Sequence, residues 1–144
     1  MIKIIKKVLM IVFIITALIP LGAPVFFTII ELIVHGKLLY DFFMPAELFF
    51  LTLIGGTGIL VIGIINSQET RRLFIFLVLT TVNLFASQIY ANLSGLAHGE
   101  TELNILHIII LSVFVSFYHL FPLLVVVECF LMFKKISRIS KLKE

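Results

Sequence analysis

Four histidines, a cluster of side-chain amides and a single cysteine are the groups in this chain with chemistry to offer. His119 stands near the middle of the apolar run 105–133, with Ser112 and Ser116 before it at helical spacing and Pro122 just after. An imidazole in that setting can relay a proton, ligate a metal or hold a hydrogen bond. The stretch from Thr80 to Gly95 carries Thr80, Thr81, Asn83, Ser87, Gln88, Ala91, Asn92 and Ser94. At about 100° per residue all of these fall on one half of a helix, interrupted only by Leu84. Amides both donate and accept, so this face can wall a hydrophilic solute path or grip another helix.

The remaining histidines, His35, His98 and His107, lie in or beside polar breaks with Glu31, Asp41, Glu47, Glu100 and Glu102. His35 paired with His107 would suit a haem, and the mixed acids and imidazoles would suit zinc. Neither has a fixed spacing such as His-x-x-x-His behind it. Ser116 and His119 share a helix face without a carboxylate, so the nucleophile–base–orienter set is incomplete. Cys129 is alone, which excludes an internal disulfide and a cysteine-based zinc site. The reading is therefore of a non-enzyme with no catalytic residues, no metal and no cofactor. A redox or metal-binding subunit built on the histidines stays as an alternative.

These residues need elements to hold them, and composition says which. Of 144 residues 61% are apolar or aromatic and 13% charged, against roughly 45–50% and about 25% in soluble domains. A soluble domain this small leaves about a third of its surface wet and has nowhere to hide such a composition. That excludes a soluble globular domain, a disordered chain and a nucleic-acid-binding module. A bilayer core of about 30 Å takes roughly 20 apolar residues per helix. Four segments qualify, at about 8–34, 47–66, 73–94 and 105–133, followed by a basic tail at 134–144. The expected fold is all-α: an integral membrane four-helix bundle, a single transmembrane domain.

The first span places Thr16, Pro20, Pro24 and Thr28 four apart, with Glu31 and His35 continuing the row. Proline frees a carbonyl one turn earlier, so this helix is expected to be kinked. A signal-peptide reading fails because cleavage near Gly22-Ala23 would leave Pro24 first and the apolar run resumes at once. The second span carries Thr52, Gly55, Gly56, Thr57, Gly58 and Gly63. No Gly-Lys-Ser/Thr follows, so this is no phosphate loop. Thr52, Gly56 and Gly63 form a small-residue stripe that lets another backbone approach. Matches 63 residues apart, such as Phe13 with Phe76 and His35-Gly36 with His98-Gly99, hint at duplicated hairpins, although so biased a composition produces matches by chance.

Ten of the eleven basic residues lie on one side of these spans, with Lys37 the exception. The positive-inside rule then puts both termini in the cytoplasm and accounts for the net charge of +3. Abundant Ile, Phe and Lys without Trp suggests an AT-rich genome and a bacterial cytoplasmic membrane. Beyond the bilayer, the partner expected is another membrane protein or a second copy of the chain. Three functions follow, in order. The first is a non-enzymatic accessory or immunity-type subunit that binds a partner through its helix faces. The second is an oligomeric transporter or channel lined by Thr80, Asn83, Ser87, Gln88, Asn92 and His119. The third is the redox or metal subunit.

Overall fold

A computed structural model describes residues 2–36, 46–96 and 104–142. The chain is all-helical, with four helices long and apolar enough to cross a membrane. They are α1 (Ile2–His35), α2 (Ala46–Ile65), α3 (Arg71–Leu93) and α4 (Ile105–Leu142). By composition, this is a membrane protein. Their outer surfaces carry exposed Ile, Leu, Val and Phe along most of their length, as hydrocarbon rather than water requires.

The helices differ in length, and the difference is informative. At 1.5 Å per residue, the 20 residues of α2 span about 30 Å, while the 34 of α1 and 38 of α4 run to about 50 and 57 Å. The helices run past the apolar spans: α1 begins at Ile2, ahead of the span at about 8–34, and α4 continues through the basic segment to Leu142. Lys and Arg are good helix formers and no Gly or Pro interrupts residues 134–142. The helix has no local reason to stop where the apolar run does. α1 also runs unbroken through Pro20 and Pro24, both of which are buried.

α1 and α3 share no packing contact among the described residues, whereas α4 touches all three other helices and so does α2. The glycines of α2 make this possible on two sides. A Cβ at Gly55 would strike the Phe13 carbonyl and lie 2.7 Å from the Ala17 nitrogen, so there α2 meets the α1 backbone itself. A Cβ at Gly56 would come within 2.6 Å of Leu77 on α3 and 3.0 Å of Val125 on α4. One at Gly63 would lie 2.5 Å from Met132. The buried apolar core, including Met10, Ile62, Leu73, Met132 and Ile136, fills the half of the bundle nearest the basic residues. We call that half the basic end, and the opposite half the far end.

The turn from α2 to α3 closes this end. Gln68 N–H donates to the Gly63 carbonyl at 3.0 Å and Ser67 N–H to that of Ile64 at 2.9 Å. This is a Schellman ending with Ser67 at the position glycine usually takes, and its φ is 50°. A left-handed backbone costs an L-residue about 1–2 kcal/mol. Ser67→Gly is therefore expected to stabilise the bundle by up to about 1 kcal/mol, after glycine's greater unfolded-state entropy is subtracted. Unfolding in detergent, followed by circular dichroism, checks this; a lower midpoint would mean the serine side chain holds the turn.

Candidate functional site

The polar half of α3 is split by the packing. The stripe Leu73, Leu77, Thr80 and Leu84 is buried against the other helices, and Asn83 lies at its edge, 7% exposed. Thr80 Oγ1 donates to the Phe76 carbonyl at 2.6 Å, and Ser87 Oγ to that of Leu84 at 2.8 Å. Both hydroxyls are thus satisfied within their own helix. Asn83 instead reaches across, its Nδ2 donating to the Phe114 carbonyl of α4 at 3.3 Å. Interhelical bonds of this kind contribute about 0.6 kcal/mol on average and up to about 1.7. Asn83→Leu is expected to destabilise the α3–α4 pairing by about that range, read as a lower unfolding midpoint; an unchanged midpoint would leave the bond without weight.

Gln88 and Asn92 lie outside the buried stripe and face outward. Neither side chain bonds to another described residue. They lie about two and three turns beyond Thr81 on the same side of α3, past a groove between α2 and α3 whose volume is about 360 Å³. Thr57 and Thr81 sit in that groove among Leu53, Leu60, Phe74 and Val78. Seventeen residues separate Gln88 from Arg71, so it stands about 25 Å from the basic end. That is still within a hydrocarbon core of about 30 Å, whereas Asn92, 21 residues from Arg71 and so about 32 Å away, stands at the edge of that core.

His119 is half-buried on α4, and its Nδ1 lies 2.8 Å from the Val115 carbonyl. A carbonyl only accepts, so Nδ1 is the donor in this bond. Ser112 and Ser116, which precede it, are exposed and donate to Ile108 and Ser112 carbonyls. The geometry therefore brings neither Asn83 nor Ser116 to the His119 ring through a hydrogen bond.

At the far end, Tyr90 OH and His107 Nδ1 are 2.6 Å apart, and Tyr90 also packs its ring against Phe114. The His107 backbone N–H donates to Asn104 Oδ1 at 2.9 Å, which caps the start of α4. The Asn83–Phe114 and Tyr90–His107 pairs are each displaced by seven residues along antiparallel helices, so they share one register. Seven residues from Asn83, Tyr90 lies within about 20° of it on the helix; its largely apolar ring, with a polar tip, kept it out of the polar row from Thr80 to Ser94.

Thr52 is fully buried and donates to the Ala17 carbonyl at 3.3 Å, tying α2 to α1 beside Gly55. His35 is the exposed last residue of α1. Glu31 and Glu47 lie in helices, but their side chains, like all of Asp41, His98, Glu100 and Glu102, lie outside the described residues. Among the described residues no three His, Cys, Asp or Glu side chains gather as a metal-holding group. Cys129 is a buried free thiol in the core. No family model, no curated protein and no solved structure matches this chain.

Proposed function

We propose that this protein is a non-enzymatic accessory subunit that docks another membrane protein against the α2–α3 face. The observation that carries the reading is that Gln88 and Asn92 are exposed on the side of α3 that carries Thr81, whose groove with α2 lies two turns away. A side-chain amide facing hydrocarbon leaves several hydrogen-bonding positions unmade, and a partner helix bearing polar groups supplies them. Thr57 and Thr81 keep the groove floor shallow enough for close approach. The basic residues at one end support an orientation with both termini in the cytoplasm, in a bacterial cytoplasmic membrane. The transport reading draws less support, because Thr80, Asn83 and Ser87 already donate to carbonyls within the chain.

Site-specific photo-crosslinking tests this in the native membrane. A benzophenone side chain at position 88 should yield a discrete protein adduct of defined mass. The same group at position 123, an exposed site on α4 away from the groove, should yield lipid adducts only. Identical products from both positions would remove the docking face.

A further inference from the structure

A second polar feature lies at the opposite end of the bundle and owes nothing to the docking reading. Lys6 and Lys7 of α1, Asn66, Ser67 and Gln68 of the α2–α3 turn, and Ser137 of α4 converge on a cavity of about 490 Å³. All but Ser67 are at least partly buried. Lys6 Nζ donates to Asn66 Oδ1, so one lysine is already fixed in place over the turn. Gln68 Nε2 donates to the Asn66 carbonyl at 3.0 Å, which braces the same turn from the other side. The opposite wall is apolar, formed by Met10, Ile65, Ile136 and Ile139.

Ser137 adds a separate observation. Its Oγ is buried with no hydrogen-bond partner among the described residues. The other described serine side chains of α4 do not behave this way, since Ser112 and Ser116 each donate to the carbonyl four residues earlier. A buried hydroxyl that declines the ordinary helical acceptor, in the lining of a cavity with two cations, is a donor without an acceptor. Two ammonium groups and a hydroxyl all donate here and the apolar wall offers them no acceptor, so the complementary ligand is anionic and rich in oxygen. The apolar wall asks that the same ligand carry hydrocarbon beside its charge.

We propose that this cavity is a binding site for a phosphate group, seated between Lys6, Lys7 and Ser137, with the headgroup of an anionic phospholipid as its source. The ester region of the lipid lies against Ile65 and Ile139, whose exposed faces open the cavity toward the headgroup boundary of the bilayer. The site is a built cavity rather than a diffuse basic patch. Lys134 and Arg138 line a separate, more open cavity that shares only Ser137 with this one, and Lys135 stands exposed outside both; they supply the comparison.

The test is native mass spectrometry of the delipidated protein with phosphatidylglycerol or phosphatidylcholine, with thermal unfolding in inorganic phosphate against chloride at equal ionic strength. The wild type should retain phosphatidylglycerol in preference to phosphatidylcholine. Lys6→Gln with Lys7→Gln should weaken that retention roughly thirtyfold, about fivefold per lysine. Lys134→Gln with Lys135→Gln removes the same charge and should leave the tightest-bound lipid in place. Ser137→Ala removes an unpaired hydroxyl, so the fold should survive it while retention falls; this variant decides the matter if the double lysine change does not assemble. Stabilisation by inorganic phosphate without lipid preference, lost in the Ser137→Ala protein, would keep the site but make a free phosphate its ligand. No preference in either arm, or equal losses from both lysine pairs with Ser137→Ala unchanged, would overturn the proposal.

Discussion

Gly55→Ala is expected to destabilise the bundle by about 3 kcal/mol or more, and to do so with a single methyl group. The added Cβ would meet the Phe13 carbonyl and the Ala17 nitrogen, and Ala17 Cβ would stand only 2.8 Å away. Two of these are backbone atoms, which cannot swing aside as a side chain does, so α1 and α2 must separate along the contact. Overpacking where side chains can relax costs about 1–3 kcal/mol; a backbone clash lies at or above that range. Gly56→Ala should cost less, because its closest obstacle is the Leu77 Cδ2 at 2.6 Å, a mobile side-chain end. Gly22→Ala gives the control, since nothing lies within 4 Å of the site and helix propensity favours alanine by about 1 kcal/mol. Equilibrium unfolding in mixed micelles should therefore rank the three variants with Gly22→Ala most stable and Gly55→Ala least. Equal effects at all three positions would mean that α1 and α2 do not meet backbone to backbone at Gly55.

The second large effect falls on the outer surface and leaves the fold alone. Gln88→Leu with Asn92→Leu removes two outward polar side chains that bond to no other described residue, so insertion and unfolding midpoint should hold. Association should not. Interhelical hydrogen bonds in bilayers contribute about 0.6 to 1.7 kcal/mol each, and the pair should cost about 1–3 kcal/mol of partner affinity. That is a factor of roughly 5 to 150 in the dissociation constant. Co-purification from the native membrane checks it, with Asn83→Leu as the contrast: that variant should weaken the fold first and binding only through it. If the double variant lost stability but kept its partner, the outward row would belong to the chain's own packing.

The spans were legible in the sequence because a bilayer imposes length and apolarity on every crossing helix, and few other folds tolerate such a composition. The ends of α1 and α4 were not, because residues such as Lys134, Lys135 and Arg138 mark where hydrocarbon stops without marking where a helix stops. The polar half of α3 was visible on a helical wheel, but its meaning depended on rotation against neighbours. A wheel gives relative angles only, so it could not tell Asn83, which faces α4, from Gln88, which faces outward. The glycines of α2 show the same limit. Gly56 and Gly63 stood out as a stripe, whereas Gly55, on the side facing α1, looked like part of an undivided Gly-rich run. Lys6, Asn66 and Ser137 belong to three separate segments of the chain, and no spacing rule joins them.

Native mass spectrometry of the protein released gently from its own membrane tests the central claim, that the α2–α3 face docks another membrane protein. The account predicts a stoichiometric second polypeptide that is lost from the Gln88→Leu, Asn92→Leu protein while the chain itself stays folded. A homo-oligomer of this chain with no second polypeptide, unchanged by those substitutions, would contradict it.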